Sequence, residues 1–233
     1  MPVNPPSPDP APLDPPRSPF PPGFFRRGDE TADELFFREP RFVTHIDDAT
    51  IEAVTQVYRE LIPPRSTVLD LMSSWVSHLP PEVEYARVAG LGMNVRELAD
   101  NPRLTDFVVH DLNADPDLPY GDAEFDVVVN AVSVQYLTRP VDVFASVRRV
   151  LRPGGLYAVA ISHRMFPTKA VTGWQALRND DRTRLVSTYF ELAGGWEEPR
   201  VLDRSPAHAD PLWVILANRL DGGPGENRAT GDR

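Results

Sequence analysis

The sequence predicts an α/β protein: a doubly wound, seven-stranded, mostly parallel sheet with helices on both faces and an antiparallel strand at one edge. Three observations predict it. Apolar runs of strand length alternate with stretches of helical spacing. One run, Phe125-Asp-Val-Val-Val-Asn-Ala131, is apolar on both faces, as a central parallel strand is. The chain also closes on two strand-like runs, residues 198–202 and 212–217, with no helical pattern between them, which makes a hairpin at one edge.

The elements follow in order. Asp47 or Asp48 caps a helix running to about Leu61, with Ile51, Val54, Tyr58 and Leu61 on one face. Pro63-Pro64 stop it. Thr67-Val-Leu-Asp-Leu71, Arg87-Val-Ala-Gly-Leu91 and Phe107-Val-Val-His110 read as the first three strands, and residues 125–131 as the fourth. A helix over residues 141–151 places Val141, Phe144, Val147 and Leu151 together. Arg152-Pro-Gly-Gly155 turns the chain into a fifth strand at 156–161, and two helical stretches follow near 169–177 and 182–192.

Composition bounds the function. The 233 residues carry 34 acidic and 24 basic side chains, a formal charge of −10, which argues against nucleic-acid or anionic-membrane binding. With no cysteine, thiolate catalysis, disulfides and iron–sulfur clusters are excluded. The histidines His45, His78, His110, His163 and His208 show no metal-ligand spacing, so no metal site is expected. Eleven of the 26 prolines fall in the first 22 residues. Residues 1–23 therefore read as a disordered arm, 24–46 as an aromatic cap, 47–220 as the folded domain and 221–233 as a flexible tail. The cap holds phenylalanines and arginines whose charge is cancelled by five acids, so it is expected to pack on the body over a pocket. No signal peptide or apolar run of about 20 residues is present, and a cytoplasmic protein is expected.

From Val68 onward the landmarks resemble the class I S-adenosylmethionine-dependent methyltransferases, most closely the type 11 group. Val68-Leu-Asp-Leu71 is similar to that family's first strand and acid. Asp111, Leu118-Pro-Tyr120 and Phe125-Asp-Val-Val-Val129 are similar to its run from third to fourth strand, and Val150-Leu-Arg-Pro-Gly-Gly-Leu156 to its turn into the fifth. The ordered set covers roughly residues 47 to 217. It implies a Rossmann-like methyltransferase fold and S-adenosylmethionine as cofactor.

The implied cofactor site is divergent. Aligning Asp70 with the family acid puts Met72, Ser74 and Val76 where three glycines belong. Gly92 stands where the family ends its second strand with a ribose-binding acid, and Met93 and Asn94 follow, Asn94 offering a hydrogen bond from nearby. Pro80-Pro81 predict that the first helix of the fold is short, ending near Leu79, or begins late. The resemblance implies cofactor contacts from Asp70, Met72, Ser73, Ser74, Gly92, Met93, Asn94, Asp111 and Leu112. On the substrate side it implies Ser133, Gln135 and Tyr136, and His163 lies just past the fifth strand. His78, in the altered loop, is a second candidate base.

The expected function is methyl transfer to a small molecule. The alternative is a binding or regulatory module of the same fold that has lost catalysis. A nicotinamide-dependent oxidoreductase fits poorly, because Gly90-Leu-Gly92 lacks the rest of a Gly-x-Gly-x-x-Gly loop.

Overall fold

The computed structural model describes residues 19–221. Most of the proline-rich arm and the tail lie outside the described residues. The expected arm boundary needs one correction: Phe20 packs on Tyr189 with ring centroids 6.0 Å apart, so the packed chain starts before residue 24.

One sheet contains β1 (Thr67–Leu71), β2 (Arg87–Gly92), β3 (Asp106–Val109), β4 (Phe125–Ala131), β5 (Leu151–Ile161), β6 (Arg200–Asp203) and β7 (Trp213–Asn218). Their order is β3-β2-β1-β4-β5-β7-β6. The first five strands pair in parallel. β7 runs antiparallel to both β5 and β6, so the chain reverses direction at this edge, as the two closing runs imply.

Alternation along the strands feeds two cores. In β1, Leu69 and Leu71 join the cluster that holds Phe144, Val147, Tyr189 and Phe190, from α4 (Pro140–Val150) and α6 (Asn179–Ala193). Val68 joins the opposite cluster with Val54, Val57 and Tyr58 of α2 (Asp48–Leu61). Each fully buried Val, Leu or Phe stabilises by about 1.5–3 kcal/mol, so these stripes fix which face each helix covers. Asp47 caps α2 by accepting from the Thr50 amide, Pro140 opens α4 at a position where no amide hydrogen is needed, and Gly194 closes α6 in a left-handed turn.

The shorter helices are α1 (Asp33–Phe36), α3 (Val95–Asp100) and α5 (Thr172–Ala176). β5 is longer than expected, because the Arg152–Gly155 turn is drawn into the strand. Gly155 is needed there: a β-carbon would lie 2.8 Å from the Arg152 carbonyl and 3.0 Å from that of Asp126. The expected short helix after the first strand does not form. Residues 72–86 cross from β1 to β2 as turns and extended chain, and Pro80-Pro81 sit in that crossing, where their missing amide hydrogens would break a helical ladder.

Candidate functional site

The chain leaves β1 toward β2 on one side and returns through β3 to β4 on the other. The carboxyl ends of β1 and β4 therefore flank the switch in strand order, where open α/β sheets bind ligands. A cavity of about 140 Å³ opens there. Its floor is made by the strand ends and following residues: Asp70 to Trp75, Leu91 to Asn94, His110 to Asn113, and Ala131 to Ser133. Its roof comes from the cap, through Asp33, Phe37, Arg41 and residues 43–46, with Tyr136 and Phe166 at one wall.

The altered loop keeps a backbone conformation that glycine would provide. Met72, the residue aligned with the first missing glycine, has φ 58°. His78 (φ 53°) and Val132 (φ 52°) are also left-handed, and all three line the cavity. A β-branched residue in this region is an outlier, and such strain collects at ligand sites. The loop is also pressed onto β2. The Ser73 amide donates to the Leu91 carbonyl at 2.7 Å, and a β-carbon on Gly92 would lie 2.2 Å from the Ser73 carbonyl oxygen. No acidic side chain fits at the end of β2, because loop backbone occupies that space.

Several implied site residues are occupied by other work. Asp70 is buried, 3% exposed, and accepts from Ser73 Oγ at 2.5 Å. Burial pushes its carboxyl up to about 6, against the hydrogen bonds from Ser73 and Ser77. Ser74 Oγ donates to Glu97 Oε2 at 2.6 Å, so neither loop hydroxyl is a free donor. Asn94 is likewise spent: its side-chain oxygen caps α3 and its amide nitrogen holds the carbonyls of Phe37 and Arg38. Asp111 Oδ1 accepts from the amides of Asn113 and Ala114, which shapes the turn that brings Leu112 to the cavity. Met93 lines the same floor.

On the substrate side the placement divides. Ser133 and Tyr136 line the cavity; Gln135 and His163 do not. Gln135 is buried, donating to the carbonyls of Val132 and Arg164, and His163 Nε2 lies 3.1 Å from Asp210 Oδ1. The Tyr136 hydroxyl accepts from the Phe166 amide at 2.9 Å, and burial pushes its phenol up to about 12. His78 is held neutral: burial takes its imidazole down to about 4, and neighbouring His45 adds to the shift. Its Nδ1 is buried with no hydrogen-bond partner. Trp75 does not fill the cavity. It turns to the cap, donating to the Val43 carbonyl at 3.1 Å.

Sequence reasoning missed the residues that fix the roof. Lys169, the single lysine of the chain, is fully buried, with Nζ 3.1 Å from Asp33 and 3.4 Å from Asp29. Asp33 also takes Arg27 at 2.7 Å and Asn113 at 2.8 Å. Glu97 receives the Arg41 amide at 2.7 Å. The spacing Asn94-x-x-Glu97, an N-cap followed three residues later by glutamate, is the one sequence signal that marks this last residue.

Comparison with known proteins agrees with this geometry. Residues 83–159 match a family described as a methyltransferase domain. An uncharacterized methyltransferase of Synechocystis is 33% identical over 79 residues, covering 28% of this chain. The chain spans only 37% of that relative's length. Among solved structures, a chain from a complex of the Trm112 methyltransferase activator of Haloferax volcanii with a methyltransferase superimposes with TM-score 0.57 at 14% identity, over 76% of this chain and 92% of that one. A Mesorhizobium loti S-adenosylmethionine-dependent methyltransferase gives 0.52 at 15% identity, over 72% of this chain and 100% of that one.

Proposed function

Starting from a chain that carries the class I S-adenosylmethionine-dependent methyltransferase fold and a matching methyltransferase domain, we propose that it transfers a methyl group from S-adenosylmethionine to a small-molecule nucleophile. The matched domain and the neighbouring structures imply that cofactor. The observation that carries the reading is Met72. It lies at the switch-point cavity, in the left-handed conformation of an absent glycine, so the backbone path survives although the glycine does not.

The residues present fit the cofactor with one change. Asp70 and the backbone of residues 72–74 line one side of the cavity, and Asp111 and Leu112 the other, where an adenine would rest. The sugar hydroxyls need a new carboxylate, because Gly92 has no room for one. Glu97 serves, since it lines the cavity and each of its oxygens keeps accepting capacity beyond its single protein donor.

When bound, S-adenosylmethionine supplies a methyl group already activated on a sulfonium. The protein's task is then alignment and exclusion of water. The cap roof excludes bulk solvent and limits the acceptor to a molecule that fits beneath it. Ser133 and Tyr136 shape the acceptor wall. His78, neutral at physiological pH with an unpartnered Nδ1, is the group suited to take a proton from the nucleophile.

A second reading, a binding module without catalysis, is favoured by the Ser73 carbonyl wedged against Gly92. The two separate on one assay. The full chain is incubated with methyl-labelled S-adenosylmethionine and fractionated small-molecule extract, and label transfer is followed with release of S-adenosylhomocysteine. Transfer supports the enzyme. Cofactor binding with no transfer to any fraction supports the module.

A further inference from the structure

We propose that Arg41 is the anion-binding group of the cavity, and that the acceptor molecule carries a carboxylate or phosphate which Arg41 receives. This rests on reading the cavity as the methyl-transfer site and names the acceptor's chemical class.

Arg41 lies in the cap, half-buried, and lines the cavity. Its Nη2 donates to the Phe36 carbonyl at 2.9 Å, and its Nη1 is buried with no acceptor. The guanidinium carbon stands 4.5 Å from the centroid of Phe36, 5.4 Å from Phe166 and 5.7 Å from Phe37. These rings fix the plane of the cation and shed water from it. Among the described residues no carboxylate forms an ion pair with Arg41, although Arg27 and Lys169, the other cations that fasten the cap, are both paired to Asp33.

A buried donor without an acceptor costs about 1–3 kcal/mol, and more when it is charged. Such a group persists where a ligand supplies the missing acceptor. A rigid planar fork suits carboxylate and phosphate oxygens. The position favours the acceptor over the cofactor as the source of that anion. Phe166, on which Arg41 stacks, packs against Tyr136 at 5.9 Å, and these two rings form the acceptor wall. The acids Asp70 and Asp111 lie instead on the strand-end floor.

The test uses the full chain and the variants Arg41→Met and Arg41→Lys. S-adenosylhomocysteine and 5′-methylthioadenosine, which lacks the amino-acid carboxylate, are titrated by calorimetry. Acetate, benzoate and inorganic phosphate are then titrated into the free protein and its S-adenosylhomocysteine complex by NMR. The proposal expects Arg41→Met to keep both nucleoside affinities and to lose at least about tenfold in anion affinity, in keeping with a charge-assisted hydrogen bond. Arg41→Lys should fall between. The melting temperature of Arg41→Met should be unchanged or higher, because an unpaired buried charge has been removed; a purely structural arginine would lower it.

A tenfold loss of S-adenosylhomocysteine affinity with methylthioadenosine unaffected would overturn the proposal by giving the anion to the cofactor. Equal anion binding by wild type and Arg41→Met would overturn it outright. If wild type binds neither nucleoside, the proposed function fails, while the anion titration of the free protein still decides the role of Arg41.

Discussion

The carbonyl oxygen of Ser73 lies so close to the α-carbon of Gly92 that a β-carbon there would stand 2.2 Å from it. Both partners in this contact are backbone, so no side-chain rotation relieves it. Gly92→Ala should therefore destabilise by about 1–3 kcal/mol, as overpacking does. Gly92→Asp restores the acid that the methyltransferase family carries at this point, yet it should weaken S-adenosylhomocysteine binding by displacing the loop. Urea midpoints and calorimetry check both. A Gly92→Ala protein with the wild-type midpoint would contradict the contact.

Met72 gives a test of rank order. At φ 58°, asparagine is tolerated and a β-branched residue is not. Met72→Asn should be more stable than Met72→Val by about 1–2 kcal/mol, although valine is the closer match in polarity. Denaturant titration of the two variants gives the sign, and the reverse order would show that the loop does not hold this conformation.

Lys169 fastens the cap from inside. Removing one member of a buried ion pair costs about 3–5 kcal/mol. Lys169→Met should sit near the lower end, because Arg27 and Asn113 still hold Asp33. The loss should be local at first. Limited proteolysis should cut within residues 24–46 of the variant before it cuts the sheet, at protease levels that leave wild type intact. Uniform cleavage of both proteins would argue that the cap is fastened elsewhere.

Two buried groups give opposite pH slopes. Asp70 is raised from 3.8 to about 6, so the folded state binds more protons than the unfolded state between these values, and stability falls as pH rises through that window. His78 is lowered from 6.5 to about 4, so the unfolded state binds more protons there, and stability falls as pH drops from 6.5 to 4. Relative to wild type, Asp70→Asn should gain stability as pH increases from 4 to 6, and His78→Gln should gain it as pH decreases from 6.5 to 4. Urea unfolding at half-unit pH steps reads both differences. Parallel profiles for wild type and Asp70→Asn would mean that Asp70 is not a buried carboxyl.

Much of the fold was legible because it is written in short-range patterns. Phe125–Ala131 shows its two buried faces in its composition, and the Asp47 cap and Pro63-Pro64 bound α2 without reference to anything distant. The position of the cavity follows from strand order in the same way. What the sequence hid depends on contacts between distant segments. Asn94 reads as a free amide until Phe37 and Arg38 arrive from the cap to use it. His163 reads as a cavity residue until Asp210 takes its imidazole. Lys169 looks like chance in a lysine-poor chain, and only burial against Asp29 and Asp33 reveals its work. The missing glycines also mislead, because a methionine holds the left-handed conformation that glycine adopts more cheaply.

The central claim is that this cavity still holds the cofactor, and titration calorimetry of the full chain with S-adenosylhomocysteine tests it most directly. The account predicts one-to-one binding, tightest above pH 6 where Asp70 is ionised, and weakened by Glu97→Gln. No heat with ligand raised to about 1 mM, which corresponds to binding weaker than about −4 kcal/mol, would contradict it.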